Sequence, residues 1–134
     1  MNSLIIPATD FTPAISFMIE TGQLEISGVS RPEDVAGFYE EPLSWLERFE
    51  ESILKSGHGH EFQELHLVFR LSYFNSTSSK YIVQILRHIR NLIKQGISIK
   101  IDWIYDEGDD KMMEGGEDLA GAVDLEFNFF KTAD

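Results

Sequence analysis

Four consecutive hydroxyl side chains, Ser76, Thr77, Ser78 and Ser79, follow Asn75 and lead straight into a run with helical periodicity. The first turn of a helix leaves backbone N–H groups without intrahelical partners, and a nearby side-chain oxygen can accept from them. Thr77 and Ser78 are placed to cap in this way, a contribution of about 1 kcal/mol, with Asn75 shaping the turn. One cap does not need four hydroxyls. A helix N-terminus also favours negative charge, so Ser76 is placed to accept a phosphoryl group, which adds roughly −1.5 to −2 charges and new acceptor oxygens. A serine nucleophile would need a positioned base and an oxyanion site, and the chain has no nucleophile elbow, P-loop or zincin pattern. Catalysis is therefore not expected.

The charges around this run are unusual for the chain. Between Ser76 and Ser98 stand Lys80, Arg87, Arg90 and Lys94 and no acid, whereas the whole chain carries −12 with a pI near 4.6. Lys80, Arg87 and Lys94 recur every seven residues, which keeps them on one helix face. Such a stripe is a docking surface for an acidic partner, or it balances acids on neighbouring elements. The net charge argues against bulk binding to nucleic acid or anionic lipid.

Other polar clusters carry weaker chemistry. Asp106, Glu107, Asp109 and Asp110 form an oxygen-rich run that could hold Mg²⁺ or Ca²⁺, but the spacing is not that of an EF-hand. From Asp106 to Glu126 nine acids face one cation, Lys111, so a solvated acidic face is the simpler expectation. His58-Gly59-His60 offers two imidazoles without an evident third ligand, and His66 and His88 read as structural. With no cysteine, disulfides and thiolate chemistry are excluded. No metal or other cofactor is expected.

The elements that must position these residues follow from periodicity. Ala14–Ile19 and Gln23–Ser27 flank Thr21-Gly22 as a hairpin, after a short strand at Leu4–Ile6. A turn at Arg31-Pro32-Glu33-Asp34 leads to an amphipathic helix over Glu41–Lys55, where Trp45, Leu46, Phe49 and Ile53 share a face. Glu64–Phe74 reads as a central strand with Leu65, Leu67, Phe69, Leu71 and Tyr73 on one side. The clearest helix carries Ile82, Ile85, Leu86, Ile89, Leu92 and Ile93, with Gly96 at its C-terminal end. A strand at Ile97–Tyr105 and a loop through Gly116 follow. A helix at Glu117–Val123 and a last strand at Leu125–Phe130 complete the pattern. The 134 residues, 43% apolar, read as one α/β domain: a central mixed sheet with an N-terminal hairpin and about three helices packed on it. No apolar run reaches the roughly 18 residues that span a bilayer, and the N-terminus lacks a secretory pattern, so a cytoplasmic protein is expected.

These residues resemble a known family. Tyr73-Phe74-Asn75-Ser76-Thr77-Ser78-Ser79-Lys80 is similar to the phosphorylation segment of the SiaC family of bacterial regulatory phosphoproteins. Thr12-Pro13-Ala14-Ile15 and Gly28-Val29-Ser30-Arg31-Pro32-Glu33 resemble family segments in the same order. So do Phe38-Tyr39, Trp45-Leu46, Trp103-Ile104-Tyr105 and the acidic stretch from Asp109 to Asp118. The resemblance implies a fold similar to the STAS domain of anti-sigma-factor antagonists, and a partner-switching function. It further implies a serine/threonine kinase that phosphorylates Ser76, the hydroxyl after Asn75, and a PP2C-type phosphatase that reverses it. The unphosphorylated form would bind and activate an output protein, a diguanylate cyclase, and so affect cyclic di-GMP signalling and biofilm formation. Thr77 stands where the family has serine, which makes it a second candidate acceptor. The alternatives are an anti-sigma-factor-antagonist-type binding module, or a small metal- or ligand-binding domain using the segment around Asp109.

Overall fold

Strands that run parallel in one sheet need the chain to return to the same end before each new strand, and a helix is the usual return path. The computed structural model describes residues 1–56 and 64–133. It contains β1 (Leu4–Ile6), β2 (Ala14–Met18), β3 (Gln23–Ser30), α1 (Val35–Ser56), β4 (Leu65–Phe74), α2 (Ser76–Lys94), β5 (Ile99–Asp106), α3 (Asp110–Val123) and β6 (Asn128–Thr132). The six strands form one mixed sheet in sequence order. β1, β2 and β3 pair antiparallel, and β3 to β6 pair parallel. The predicted α/β architecture of a mixed sheet, hairpin and three helices is thus present.

α1 packs beside α2, and α2 beside α3. Between this layer and the sheet lies a core of Phe17, Leu24, Ile26, Leu67, Phe69 and Trp103 from the strands, met by Leu46, Ile82, Ile85, Leu86 and Ile89 from the helices. The opposite sheet face carries the Arg70–Glu25 ion pair, 3.6 Å apart, and the His66 Nε2–Asp102 Oδ2 contact of 2.5 Å. α2 ends as its sequence suggests. Gly96 adopts φ +97°, its N–H donates to the Ile93 carbonyl, and Ile97 N–H donates to Leu92. That is a left-handed turn which stops the helix and buries Ile97.

The largest differences from the sequence expectation are three element boundaries and one change of face. α1 begins at Val35 rather than Glu41, so Pro42 lies inside it. Proline lacks the N–H that continues a helix, which makes it read as a start. α3 begins at Asp110 rather than Glu117, with Gly115 and Gly116 inside the helix. A Cβ at Gly116 would lie 2.6 Å from the Trp103 indole, so this glycine permits close helix–strand approach rather than forming a loop. Trp103 Nε1 also donates to the Met112 carbonyl at 2.9 Å. β6 is displaced to Asn128–Thr132: Asp124 is left-handed and Leu125 N–H donates to the Ala120 carbonyl, so these residues finish the end of α3 instead of starting the strand. Finally, β3 pairs Gly28 with Leu71 but Val29 with Tyr73, leaving Ser72 as an extra residue in β4. This bulge reverses the alternation. Phe74, not Tyr73, turns inward and meets Trp103 edge-on, while Tyr73 is 47% exposed.

Candidate functional site

Parallel β3, β4 and β5 each deliver the chain to a helix, so the N-termini of α1, α2 and α3 line up along one rim. Each helix start is satisfied by a side chain. Asp34 Oδ1 accepts from Gly37 N–H at 3.0 Å, Asn75 Oδ1 from Ser78 N–H at 2.8 Å, and Asp109 Oδ1 from Met112 N–H at 3.2 Å. Two of the three caps are therefore carboxylates. The middle one is a neutral amide, and α2 has no acid in its first turn.

The four hydroxyls at the start of α2 have separate positions. Ser76 is the first helical residue and is exposed, as is Thr77. Among the described residues neither hydroxyl has a hydrogen-bond partner. Ser79 Oγ donates to the Ser76 carbonyl at 2.6 Å. The expectation that Thr77 and Ser78 cap the helix is corrected by the geometry: the cap oxygen belongs to Asn75. Ser78 points inward instead and is fully buried.

A buried hydroxyl needs partners, and Ser78 finds them 48 residues away. Its Oγ donates to the Ser30 carbonyl at 3.0 Å and accepts from Ser30 Oγ at 2.9 Å. That spends the only Ser30 hydroxyl proton, so the Tyr39 hydroxyl donates to Ser30 Oγ across 2.6 Å. The Ser30 carbonyl also accepts from Asn75 N–H at 3.1 Å. One residue at the end of β3 thereby ties down both α1 and the first turn of α2. The Tyr39 ring stacks on Tyr81 of α2, 5.6 Å between centroids. Burial pushes the Tyr39 phenol above its ordinary value of 10.0, and the neighbouring Ser30 and Ser78 hydroxyls offset part of that. Sequence reasoning missed Ser30 and Tyr39 as parts of this site, since their partner lies in a distant segment.

The basic residues of α2 run from this turn along the helix. Lys80, Arg87 and Lys94 are exposed and Arg90 is half-buried. Arg87, Arg90 and Lys94 border one shallow groove with Asn91. Among the described residues none of the four makes an ion pair within 4 Å. The flanking helices are acidic: α1 has five glutamates against Arg48 and Lys55, and α3 has four acids against Lys111. The α1 carboxylate that reaches α2, Glu50, is engaged by His88 Nδ1 at 2.9 Å and by Asn91. Glu50 is thus held by His88 and Asn91 rather than by the basic residues of α2.

The acidic segment is occupied with structure. Asp109 caps α3, Asp110 opens it, and Asp106 accepts from Thr132 Oγ1 at 3.0 Å. Among the described residues no three His, Asp or Glu side chains are placed to share a metal ion. His58 and His60 lie outside the described residues. No helix among the described residues is long and apolar enough to cross a membrane.

Known proteins share this fold. The sequence profile described as "SiaC family regulatory phosphoprotein" matches residues 6–132. A Pseudomonas aeruginosa protein described as uncharacterised is 31% identical over 119 residues, which cover 89% of this chain and 88% of the other. The crystal structure of apo-SiaC from Pseudomonas aeruginosa superposes with a TM-score of 0.77 at 27% identity, covering 99% of this chain and 100% of that one. A SiaC chain from the same organism, crystallised with the diguanylate cyclase SiaD that it activates, gives 0.80 at 29% identity, with 98% and 99% covered.

Proposed function

Because the chain belongs to the SiaC family of regulatory phosphoproteins, we propose that it is a partner switch whose state is written on Ser76. The observation that carries this reading is the Ser76 hydroxyl: exposed, without a hydrogen-bond partner among the described residues, and next to the one neutral helix cap on the rim. A serine/threonine kinase transfers the γ-phosphoryl group of ATP to Ser76 Oγ, whose proton passes to the kinase's base. A PP2C-type phosphatase returns the hydroxyl by hydrolysis. Thr77, equally exposed, is the second-choice acceptor.

Unphosphorylated, α2 engages an output protein through Lys80, Arg87, Arg90 and Lys94. The similar SiaC activates a diguanylate cyclase, which makes an enzyme of that class the proposed partner here. A dianion at the head of the stripe cancels part of its attraction for an acidic surface and must lose its water to enter the interface. Both effects release the partner.

Incubation with the cognate kinase and ATP, followed by peptide mapping, should place one phosphate on the peptide containing Ser76, and Ser76→Ala should remove it. A phosphate that maps elsewhere overturns the assignment. In pull-downs, Ser76→Ala should retain the cyclase, whereas the phosphorylated protein should lose it about tenfold or more, as a net desolvated charge of this size implies.

A further inference from the structure

The residue beside the acceptor turn on the rim is Arg31. Ser30 and Phe74 are register partners, and Asn75 N–H donates to the Ser30 carbonyl, so Arg31 and Asn75 are neighbours at the ends of β3 and β4. Adjacent strands lie about 4.8 Å apart, which puts the backbone of Arg31 within one long side chain of Ser76. The Arg31 N–H is fixed by the Phe11 carbonyl at 2.8 Å, so its backbone cannot drift. Its side chain is exposed and, among the described residues, makes no ion pair, although Glu33 and Asp34 lie two and three residues on. The guanidinium is instead parked over the Phe11 ring, 5.2 Å from its centroid. Phe11 is itself 56% exposed.

A cation–π contact at an exposed site is weaker than a charge-assisted, bidentate hydrogen bond to a phosphate. On the reading that Ser76 is phosphorylated, we propose that Arg31 is the residue that senses the phosphate. The dianion draws the guanidinium off Phe11 and onto itself, with Lys80, one turn along α2, as a secondary partner. Phosphorylation then changes two surfaces: the head of the basic stripe, and an aromatic ring at the rim that loses its cover. The planar guanidinium suits this role because it meets two phosphate oxygens at once, which an ammonium does not.

The test uses full-length protein with Ser76→phosphoserine introduced during synthesis, so the outcome does not depend on any kinase. The second ionisation of phosphoserine lies near pH 6. Followed by ³¹P NMR, its midpoint should fall by about one unit when Arg31 pairs with it. Arg31→Ala should restore the midpoint, and Arg31→Lys should restore it in part. Phe11 ring resonances should shift on phosphorylation in the parent chain and stay still in the Arg31→Ala chain. Equal midpoints with and without Arg31 overturn the proposal, as does a midpoint that responds to Lys80→Ala alone. Kinase mapping that misses Ser76 overturns the underlying reading instead, and the two failures are distinguishable.

Discussion

The starts of α2 and α3 stand side by side on the rim, at the ends of adjacent parallel strands, and they are built to opposite ends. α3 opens on Asp109 and Asp110, so the positive mouth of that helix already faces carboxylates. Its body is then pressed onto the sheet through Gly116 and Trp103. α2 opens on a neutral amide, has no acid in its first turn, and has that turn anchored from below by hydroxyls. Where charge is permanent, the helix start is finished. Where it is left neutral, a charge can arrive and leave without displacing a resident anion. A reversible modification needs the second kind of place.

The largest expected effect breaks the α3 side. Gly116→Ala puts a methyl group 2.6 Å from the indole, against ring atoms that are themselves packed. Urea unfolding should show a loss of about 1–3 kcal/mol, the usual cost of overpacking. Gly121→Ala, on the same helix with open space around it, should be neutral or slightly stabilising. Similar losses from both would mean that helix geometry, not the Trp103 contact, sets the requirement.

The α2 side is broken through its hydroxyl anchor. Tyr39→Phe removes the donor to Ser30 and should cost about 1 kcal/mol near neutral pH. The phenol is raised above 10.0 in the folded chain, so its neutral form is favoured there. Its stabilisation is therefore complete below about pH 10 and fades as pH rises through the folded value. The gap between parent and Tyr39→Phe stabilities should narrow above about pH 10, and a constant gap would show that the phenol stays uncoupled from folding.

The smallest effect sharpens the contrast by exchanging the caps. Asn75→Asp supplies α2 with the charge it lacks and should raise stability by about 0.3–1 kcal/mol at low salt, while Asp109→Asn should lower it by a similar amount. In the Asn75→Asp chain, any stability gained from phosphate on Ser76 should shrink, as measured by melts of both forms. An undiminished gain would mean that the helix start contributes little to holding the phosphate.

Much of this contrast was legible in the sequence, because it rests on local patterns. The basic run of α2, the acidic run of α3 and the hydroxyls after Asn75 lie in contiguous stretches. Hairpin, central strand and α2 follow from periodicities of two and 3.6. What escaped depends on distant contacts. Gly115 and Gly116 look like a loop until Trp103 is brought against them. Pro42 looks like a helix start until its ring is seen buried within α1. Tyr73 keeps the alternation of β4 on paper, and only pairing with β3 reveals the extra residue at Ser72. Ser78 differs from its three hydroxyl neighbours solely through Ser30, which no spacing within the segment discloses.

The strand order of the sheet carries one more consequence. Among the described residues each strand after β1 pairs with the one made just before it, so each new strand finds a partner already synthesised. The polypeptide can assemble layer by layer as it leaves the ribosome, with β4 finding a finished hairpin and β5 finding β4. The acceptor turn is set once β3, β4 and the first turn of α2 have met, before β5 and β6 are synthesised.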